Sequence, residues 1–159
     1  MKPFQDAPTP AGNPIAAILL DRLEALLGEA RDGEAAGRIL ESFASAAPRY
    51  GIFAGTFAAA VRLHLERPVH VTIVGDGASE KTRALFDAAV RSYPPHKAVV
   101  MLAPGAEPPV GFPESARDFA KGYPADKLPA ACVCKGTHCN IPTDDPAVLV
   151  KQVAAPPAA

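Results

Sequence analysis

The residues best suited to chemistry in this chain are three cysteines that fall within eight positions, in the stretch ACVCKGTHCNIP. Cys132 and Cys134 are two positions apart, so on a β-strand their side chains would point to the same face. Cys139 follows five positions after Cys134, across Lys-Gly-Thr-His, which leaves enough chain to turn back towards it. This spacing suits a thiol pair that closes and opens as a disulfide.

Three interpretations of the cluster remain open. The first is a redox pair or labile disulfide between Cys134 and Cys139, with Cys132 as a further redox candidate. The second is a thiolate metal site in which the cysteines are joined by His138 or an outside ligand. It lacks the C-x-x-C spacing of most structural zinc sites, and the neighbours His138 and Cys139 would have difficulty ligating one ion together. The third, which the sequence favours, is a set of thiols that pack as small hydrophobic groups without chemistry.

The stretch VTIVGDGASEKT has the spacing of a phosphate-binding loop, G-x-x-x-x-G-K-[ST], with one departure. Glu80 stands where the second glycine belongs, and it adds a Cβ, bulk and negative charge where the backbone must approach phosphate. A strand, a tight turn and a helix account for the same residues, with Ser79 as the N-cap and Glu80 at the positive end of the helix. We therefore expect a turn, and we predict no cofactor.

Composition narrows the classes of function further. The net charge is −1 and the basic residues are scattered, so we expect no nucleic-acid partner. No apolar run approaches the roughly 20 residues that span a bilayer, and the N-terminal residues lack the layout of a signal peptide. We therefore expect a cytoplasmic protein with no membrane partner. Neither a Ser–His–Asp arrangement nor paired glycosidase carboxylates stand out, so an enzyme acting on its own is the less favoured class.

Periodicity predicts an α/β protein whose N-terminal segment consists of three helices. Apolar residues recur at helical spacing. Asn13 is the predicted N-cap of the first helix, and Gly28 is its predicted C-terminal end. On the third helix, predicted over residues 48–66, four apolar residues recur every fourth position and are our candidates for an interface: Phe53, Phe57, Val61 and Leu65.

The second half of the chain predicts a small three-stranded, mainly parallel sheet with flanking helices. VHVTIV and KAVVML are short, β-branched and separated by a helical segment, which is a βαβ unit with parallel strands. AACVC is a third candidate strand, and a terminal helix follows Asp145. The predicted organisation is a flexible lead-in (1–12), a helical segment (13–66), a small α/β domain (68–155) and a disordered tail (156–159).

Three stretches together resemble the C-terminal end of a known family: DAPTPAGNPIAAILLDRLEALLGE, RPVHVTIVGDGASEKTRALFDAAVRSYPPHKAVV and CVCKGTHCNIPTDDPAVL. The family is the large thioredoxin-domain-containing proteins of the spermatogenesis-associated protein 20 type. Its terminal pattern is roughly Tyr-Val-Cys-x₄-Cys-x-x-Pro, which Cys134, Cys139 and Pro142 match, while Cys132 stands where an aromatic residue is usual.

The resemblance implies an accessory role. Members of that family have an N-terminal thioredoxin-like domain, an α/α toroid similar to six-hairpin glycosidases, and a small C-terminal α/β segment, and this chain resembles only the last part. We therefore expect a non-catalytic interaction module that associates with itself or with a larger chain carrying thioredoxin and toroid portions. The alternative is a thiol-redox or carbohydrate-related enzyme component that uses Cys134 and Cys139.

Overall fold

The computed structural model describes residues 5–93 and 96–158. These residues form an α/β structure, as predicted, in which the first helices precede the sheet. The chain divides into two compact units, Met1–Arg67 and Pro68–Ala159. The predicted lead-in and tail fall partly outside the described residues, at positions 1–4 and 159, and their flexibility stays a prediction.

The helical unit is built on small side chains. Its helices are α1 (Gly12–Leu27), α2 (Ala30–Ala44) and α3 (Gly55–Leu65). The alanines buried between them let the helix backbones approach closely, and Leu40 and Phe57 supply most of the buried bulk. Gly28 ends α1 with a φ of +72°, which a glycine adopts without steric cost, and its N–H donates to the carbonyl of Glu24.

Two details of the predicted helices are wrong. Helix α1 begins at Gly12, so Asn13 lies inside it and is not the N-cap. The predicted third helix is α-helical only from Gly55, because two short 3-10 turns, Ala47–Arg49 and Gly51–Ala54, precede it. Gly51 has a φ of +53°, and a residue in that conformation interrupts a right-handed helix.

A carboxylate near the N-terminus connects the starts of two helices. The backbone N–H groups of Ala11 and Thr56 each donate to Asp6, at 2.8 Å and 2.8 Å, through different carboxylate oxygens. The hydrogen bond from Thr56, and next that from Ala11, lowers the pKa of Asp6. Asp6 therefore satisfies N–H groups at the ends of both α1 and α3 that no helical carbonyl can reach.

The α/β unit contains a four-stranded mixed sheet among the described residues, in the order β2-β1-β3-β4. β1 runs parallel to β2, whereas the β1–β3 and β3–β4 pairs are antiparallel. The strands are β1 (Val69–Val74), β2 (Lys97–Leu102), β3 (Ala130–Lys135) and β4 (His138–Cys139). The helices are α4 (Glu80–Arg91), α5 (Glu114–Gly122) and α6 (Pro146–Ala154).

The predicted three-stranded, mainly parallel sheet is therefore corrected to four strands with one parallel pair. The βαβ unit is confirmed, but the chain crosses one face of the sheet twice between β2 and β3. The irregular residues 103–113 bring Phe112 against His70, near the start of β1, and α5 then runs back over the same face. β3 consequently starts beside the end of β1, where Ala130 pairs with Val74, and must run antiparallel to it.

The two faces of the sheet differ in chemistry. One face, with Val71, Ile73 and Val133 buried in it, packs with Leu85 of α4 and Leu149 of α6 in an apolar core. The opposite face lies under α5 and carries the side chains that alternate with these: His70, Thr72, Cys132 and Cys134. The polar and sulfur-bearing residues are thus gathered on one face.

No helix of the described residues is both long enough and apolar enough to cross a membrane.

Candidate functional site

A tight hairpin brings two of the cysteines together. Gly136 and Thr137 form a two-residue turn between β3 and β4, and Gly136 has the positive φ, +59°, that the first position of a type II′ turn requires. Cys134 and Cys139 are therefore opposite each other, with their Cα atoms 4.0 Å apart, and their sulfurs are bonded at 2.03 Å. Of the three open interpretations, the disulfide is the one that the structure contains, and the favoured interpretation, three packed thiols, applies only to Cys132.

The two sulfur-bearing residues differ in their access to solvent. Cys134 is completely buried in the sheet, whereas Cys139, on the outer strand, is partly exposed. A reactant arriving from solvent can therefore approach the Cys139 side of the bond and not the Cys134 side.

Ser115, the second residue of α5, contacts the disulfide. Its Oγ lies 3.0 Å from the Sγ of Cys139 and 3.9 Å from the Sγ of Cys134. Disulfide sulfurs carry no proton, so the Ser115 hydroxyl is the donor. The bond also lies beside the N-terminal turn of a nine-residue helix, where the partial positive charge favours a thiolate.

Cys132 is the free thiol of the cluster and is buried. Its Sγ lies 3.8 Å from that of Cys134 and 3.6 Å from the carbonyl oxygen of Asn140, to which it donates. Burial raises the pKa of Cys132 to about 11. Cys132 is also off the line of the disulfide. In-line attack on Cys134 would place its sulfur about 6 Å from that of Cys139, whereas the three sulfurs lie within 4.8 Å of one another.

The structure brings together three of the four predicted metal-ligand candidates. The sulfurs of Cys132, Cys134 and Cys139 form one cluster among the described residues. His138 alternates with Cys139 along β4 and is exposed, and its Nδ1 lies 3.4 Å from the hydroxyl of Thr137. The proposed participation of His138 therefore finds no support in the arrangement of the side chains.

His70 is a site residue that the sequence did not reveal. It pairs with Cys134 across the β1–β3 ladder, and Cys134 pairs with Cys139 on the other side, so the three residues form one row across the sheet. The His70 ring is buried, and its centroid lies 4.7 Å from that of Phe112. Its place beside the disulfide depends on strand order, which no local pattern encodes.

The loop after β1 is a turn closed by its own side chains. The N–H of Ala78 donates to the Asp76 carboxylate at 2.9 Å, and that of Ser79 donates to the Asp76 carbonyl. Arg83 donates to the carbonyls of Gly77 and Ala78. Two N–H groups that a phosphate cradle would need are thus already used, and the predicted strand, turn and helix are confirmed. Ser79 occupies the N-cap position, but its side chain makes no capping bond.

The interface candidates do not share one environment. Leu65 is 77% exposed and Phe53 is 47% exposed, whereas Phe57 is only 9% exposed and belongs to the core of the helical unit. Val61 is partly buried beside that core. An open, mainly apolar trough of about 1020 Å³ lies against α2 and α3, and its lining includes Leu40, Ala54, Phe57 and Leu65.

A second polar contact lies in the helical unit. The Nδ1–H of His64 donates to Asp21 Oδ1 at 2.8 Å, which connects α3 to α1. Asp21 is buried, and Glu24, one turn further along α1, packs against Gly33 of α2. Burial, and next the neighbouring Asp21 charge, raises the pKa of Glu24.

The chain matches no protein-family model, no curated protein and no solved structure.

Proposed function

We propose that the α/β unit is a thiol–disulfide exchange component that uses Cys134 and Cys139. The observation that carries this proposal is the asymmetry of their disulfide, in which one sulfur is buried and the other is partly exposed beside a hydroxyl donor. Disulfides with an exposed sulfur tend to be the more readily reduced and exchanged ones. Cys139 is accordingly the residue that exchanges with substrate, and Cys134 is the resolving residue.

The exchange proceeds in two displacements. A substrate thiolate attacks Cys139 Sγ, the S–S bond breaks, and Cys134 leaves as a thiolate while Cys139 forms a mixed disulfide with the substrate. A second substrate thiolate then attacks the substrate sulfur and releases Cys139 as a thiolate. The substrate dithiol is oxidised to a disulfide and the protein pair is reduced to two thiols. The reverse sequence reduces a substrate disulfide.

Ser115 and α5 support the Cys139 thiolate in this scheme. The hydroxyl that donates to Cys139 Sγ at 3.0 Å makes a stronger, charge-assisted hydrogen bond once that sulfur is anionic. The adjacent N-terminal turn of α5 adds a favourable partial charge. Both contacts lower the energy of the Cys139 thiolate, which is released in the second displacement and attacks the substrate in the reverse reaction. Both contacts lie on the Cys139 side of the bond.

The proposal fits a cytoplasmic location. Cytosolic disulfides are rare, and those present are usually transient, catalytic or redox-sensing. A cysteine pair that cycles between dithiol and disulfide belongs to this transient or catalytic class. By its resemblance to thioredoxin-domain proteins, the chain would act as an accessory portion that exchanges electrons with a larger partner carrying thioredoxin and toroid portions.

The reduction potential tests the proposal directly. The purified chain is equilibrated with glutathione or dithiothreitol buffers of graded potential, and the Cys134–Cys139 bond is quantified by mass spectrometry after alkylation. We expect a potential between about −270 and −120 mV, the range of exchange proteins, whereas a value below about −300 mV would identify a structural bond. Cys132→Ala is the matched control, because it removes the third thiol and leaves the pair in place.

A second candidate function is association through the helical unit, which the apolar trough favours. Leu65, in the lining of a trough of about 1020 Å³, is 77% exposed, and soluble proteins seldom leave large apolar surfaces uncovered. The proposed occupant is a second copy of the chain, because a two-fold arrangement lets the same surface cover itself. A larger partner chain is the other outcome of the test.

Sedimentation of two variants tests the association. Leu65→Glu places a charge on an exposed residue of the trough lining and should convert a dimer to a monomer at micromolar concentration while leaving the circular dichroism spectrum of the folded chain unchanged. Ile141→Glu is the matched control, since Ile141 is 84% exposed in the α/β unit and outside the trough. A wild-type protein that sediments as a monomer would rule out self-association.

A further inference from the structure

We infer that reduction of the Cys134–Cys139 bond creates a binding site for a divalent soft cation of the zinc class, with Cys132, Cys134 and Cys139 as thiolate ligands. The inference rests on the proposed function only in requiring that the bond can be opened. It also assigns a role to Cys132, which the exchange reaction leaves unused.

The sulfur positions suit tetrahedral coordination. With Zn–S bonds of about 2.3 Å, two thiolates on one tetrahedral zinc ion lie about 3.8 Å apart. Cys132 Sγ and Cys134 Sγ already lie 3.8 Å apart. All three sulfurs are within 4.8 Å of one another, so they can contact a common centre. Only the bonded pair, Cys134 and Cys139, must separate, and rotation about their side-chain torsions can supply this once the bond is reduced.

The fourth position is open to an oxygen ligand. Ser115 Oγ lies 3.0 Å from Cys139 Sγ and 3.9 Å from Cys134 Sγ, on the partly exposed side of the cluster. That oxygen or a water molecule can complete a Cys₃ site, as in zinc centres that keep one exchangeable position.

Charge selects the class of metal. Zn²⁺ with three thiolates has a net charge of −1, whereas Cu⁺ with the same ligands has a net charge of −2. Two of the three cysteines are buried, and burying net charge is costly, so the divalent ion is favoured. Binding converts Zn²⁺ and three thiols to a zinc trithiolate with release of three protons, because a coordinated thiol is deprotonated.

Metal titration of the fully reduced chain tests the site. The protein is reduced with a phosphine under anaerobic conditions, and Zn²⁺ affinity is measured by competition with a chromogenic chelator. We expect one ion per chain, with Co²⁺ giving the thiolate-to-metal charge-transfer absorption of a sulfur-rich tetrahedral site. The oxidised chain should bind at least tenfold more weakly, because its disulfide sulfurs cannot serve as thiolates.

Cys132 supplies the decisive variants. Cys132→Ala and the size-conserving Cys132→Ser both retain Cys134 and Cys139, and each should lower Zn²⁺ affinity at least tenfold by removing one thiolate. Equal affinity in wild type and both variants, with folding verified by circular dichroism, would overturn the inference, as would the absence of one-to-one binding. Failure of the exchange function gives a different result, since a potential too low for exchange leaves zinc binding by the phosphine-reduced chain intact.

Discussion

The hydroxyl of Ser115 and the sulfur of Cys139 lie 3.0 Å apart although they are 24 positions apart in the sequence. Residues 103–113 cross the sheet before α5 begins, and this crossing places the first turn of α5 over the hairpin. The partly exposed sulfur of Cys139 therefore has its hydrogen-bond donor on α5, whereas the disulfide itself lies in the β3–β4 hairpin.

Removing that donor should slow the chemistry of Cys139. In Ser115→Ala, the reduced Cys139 loses a hydrogen bond to its thiolate, which is worth about 1.5–3 kcal/mol for a charged partner. Because a stabilised thiolate is also a weaker nucleophile, we expect Cys139 to be alkylated about three- to tenfold more slowly in the variant at neutral pH. Ser79→Ala is the matched control, since the Ser79 side chain makes no capping bond. Equal alkylation rates in both variants would contradict the role assigned to Ser115.

Gly75 should be required for packing. A Cβ at Gly75 would lie 2.6 Å from Thr82 Oγ1 and 2.8 Å from Pro129 Cβ, and both neighbours belong to the folded core or its border. We expect Gly75→Ala to lower the free energy of unfolding by about 1–3 kcal/mol in urea. In Gly77→Ala the nearest atom would be 3.6 Å from the new Cβ, so this control should unfold like wild type.

The same loop should not bind a nucleotide. A melting temperature that ATP raises in the wild type but not in Lys81→Ala would contradict this prediction and indicate a nucleotide site.

Asp6 should stabilise the helical unit fully above about pH 4, and progressively less as the pH falls below that value. Its folded-state pKa is depressed, so its contribution is present above the unfolded pKa of about 3.9 and disappears as the pH falls through the lower folded value. We expect Asp6→Ala to lower the urea midpoint at pH 7, and the difference from wild type to shrink towards pH 3. Asp126→Ala serves as the control, because it removes an exposed carboxylate. An effect of Asp6→Ala that does not depend on pH would refute the prediction.

Glu24 should show the opposite dependence. Its pKa is raised in the folded state, first by burial and then by Asp21, so its charged form costs stability at neutral pH and its protonated form does not. Glu24→Gln should therefore raise the urea midpoint modestly at pH 7, with the gain lost as the pH falls towards 4. The effect is small because much of the side chain remains solvated. A midpoint lowered at pH 7 would mean that the carboxylate has a stabilising partner.

Local patterns predicted much of the secondary structure but little of the site. The βαβ unit followed from two β-branched runs around a helical one. The spacing of Cys134 and Cys139 allowed their pairing, but it did not favour the pairing over three packed thiols. The β4 strand was missed, although a glycine followed by one further residue, here Gly136-Thr137, is typical of a two-residue hairpin loop. A two-residue strand is too short to show an alternating pattern.

Ser115 and His70 could not be assigned in advance, because each reaches the disulfide only through tertiary structure. Strand order places His70 beside Cys134, and the return of α5 over the sheet places Ser115 beside Cys139. In the same way, periodicity placed Phe57 and Leu65 on one helix face but could not show that Phe57 is buried while Leu65 is exposed. That difference comes from how α1 and α2 pack against α3.

The small size of the ring closed by the disulfide has a consequence for the folded state. The bond joins residues only five positions apart, and closing so short a loop restricts the unfolded chain by about 2 kcal/mol of conformational entropy. Domains of this size are stabilised by about 5–15 kcal/mol in total. The apolar core between the sheet, α4 and α6 does not include either cysteine. We therefore expect the α/β unit to remain folded when the Cys134–Cys139 bond is reduced.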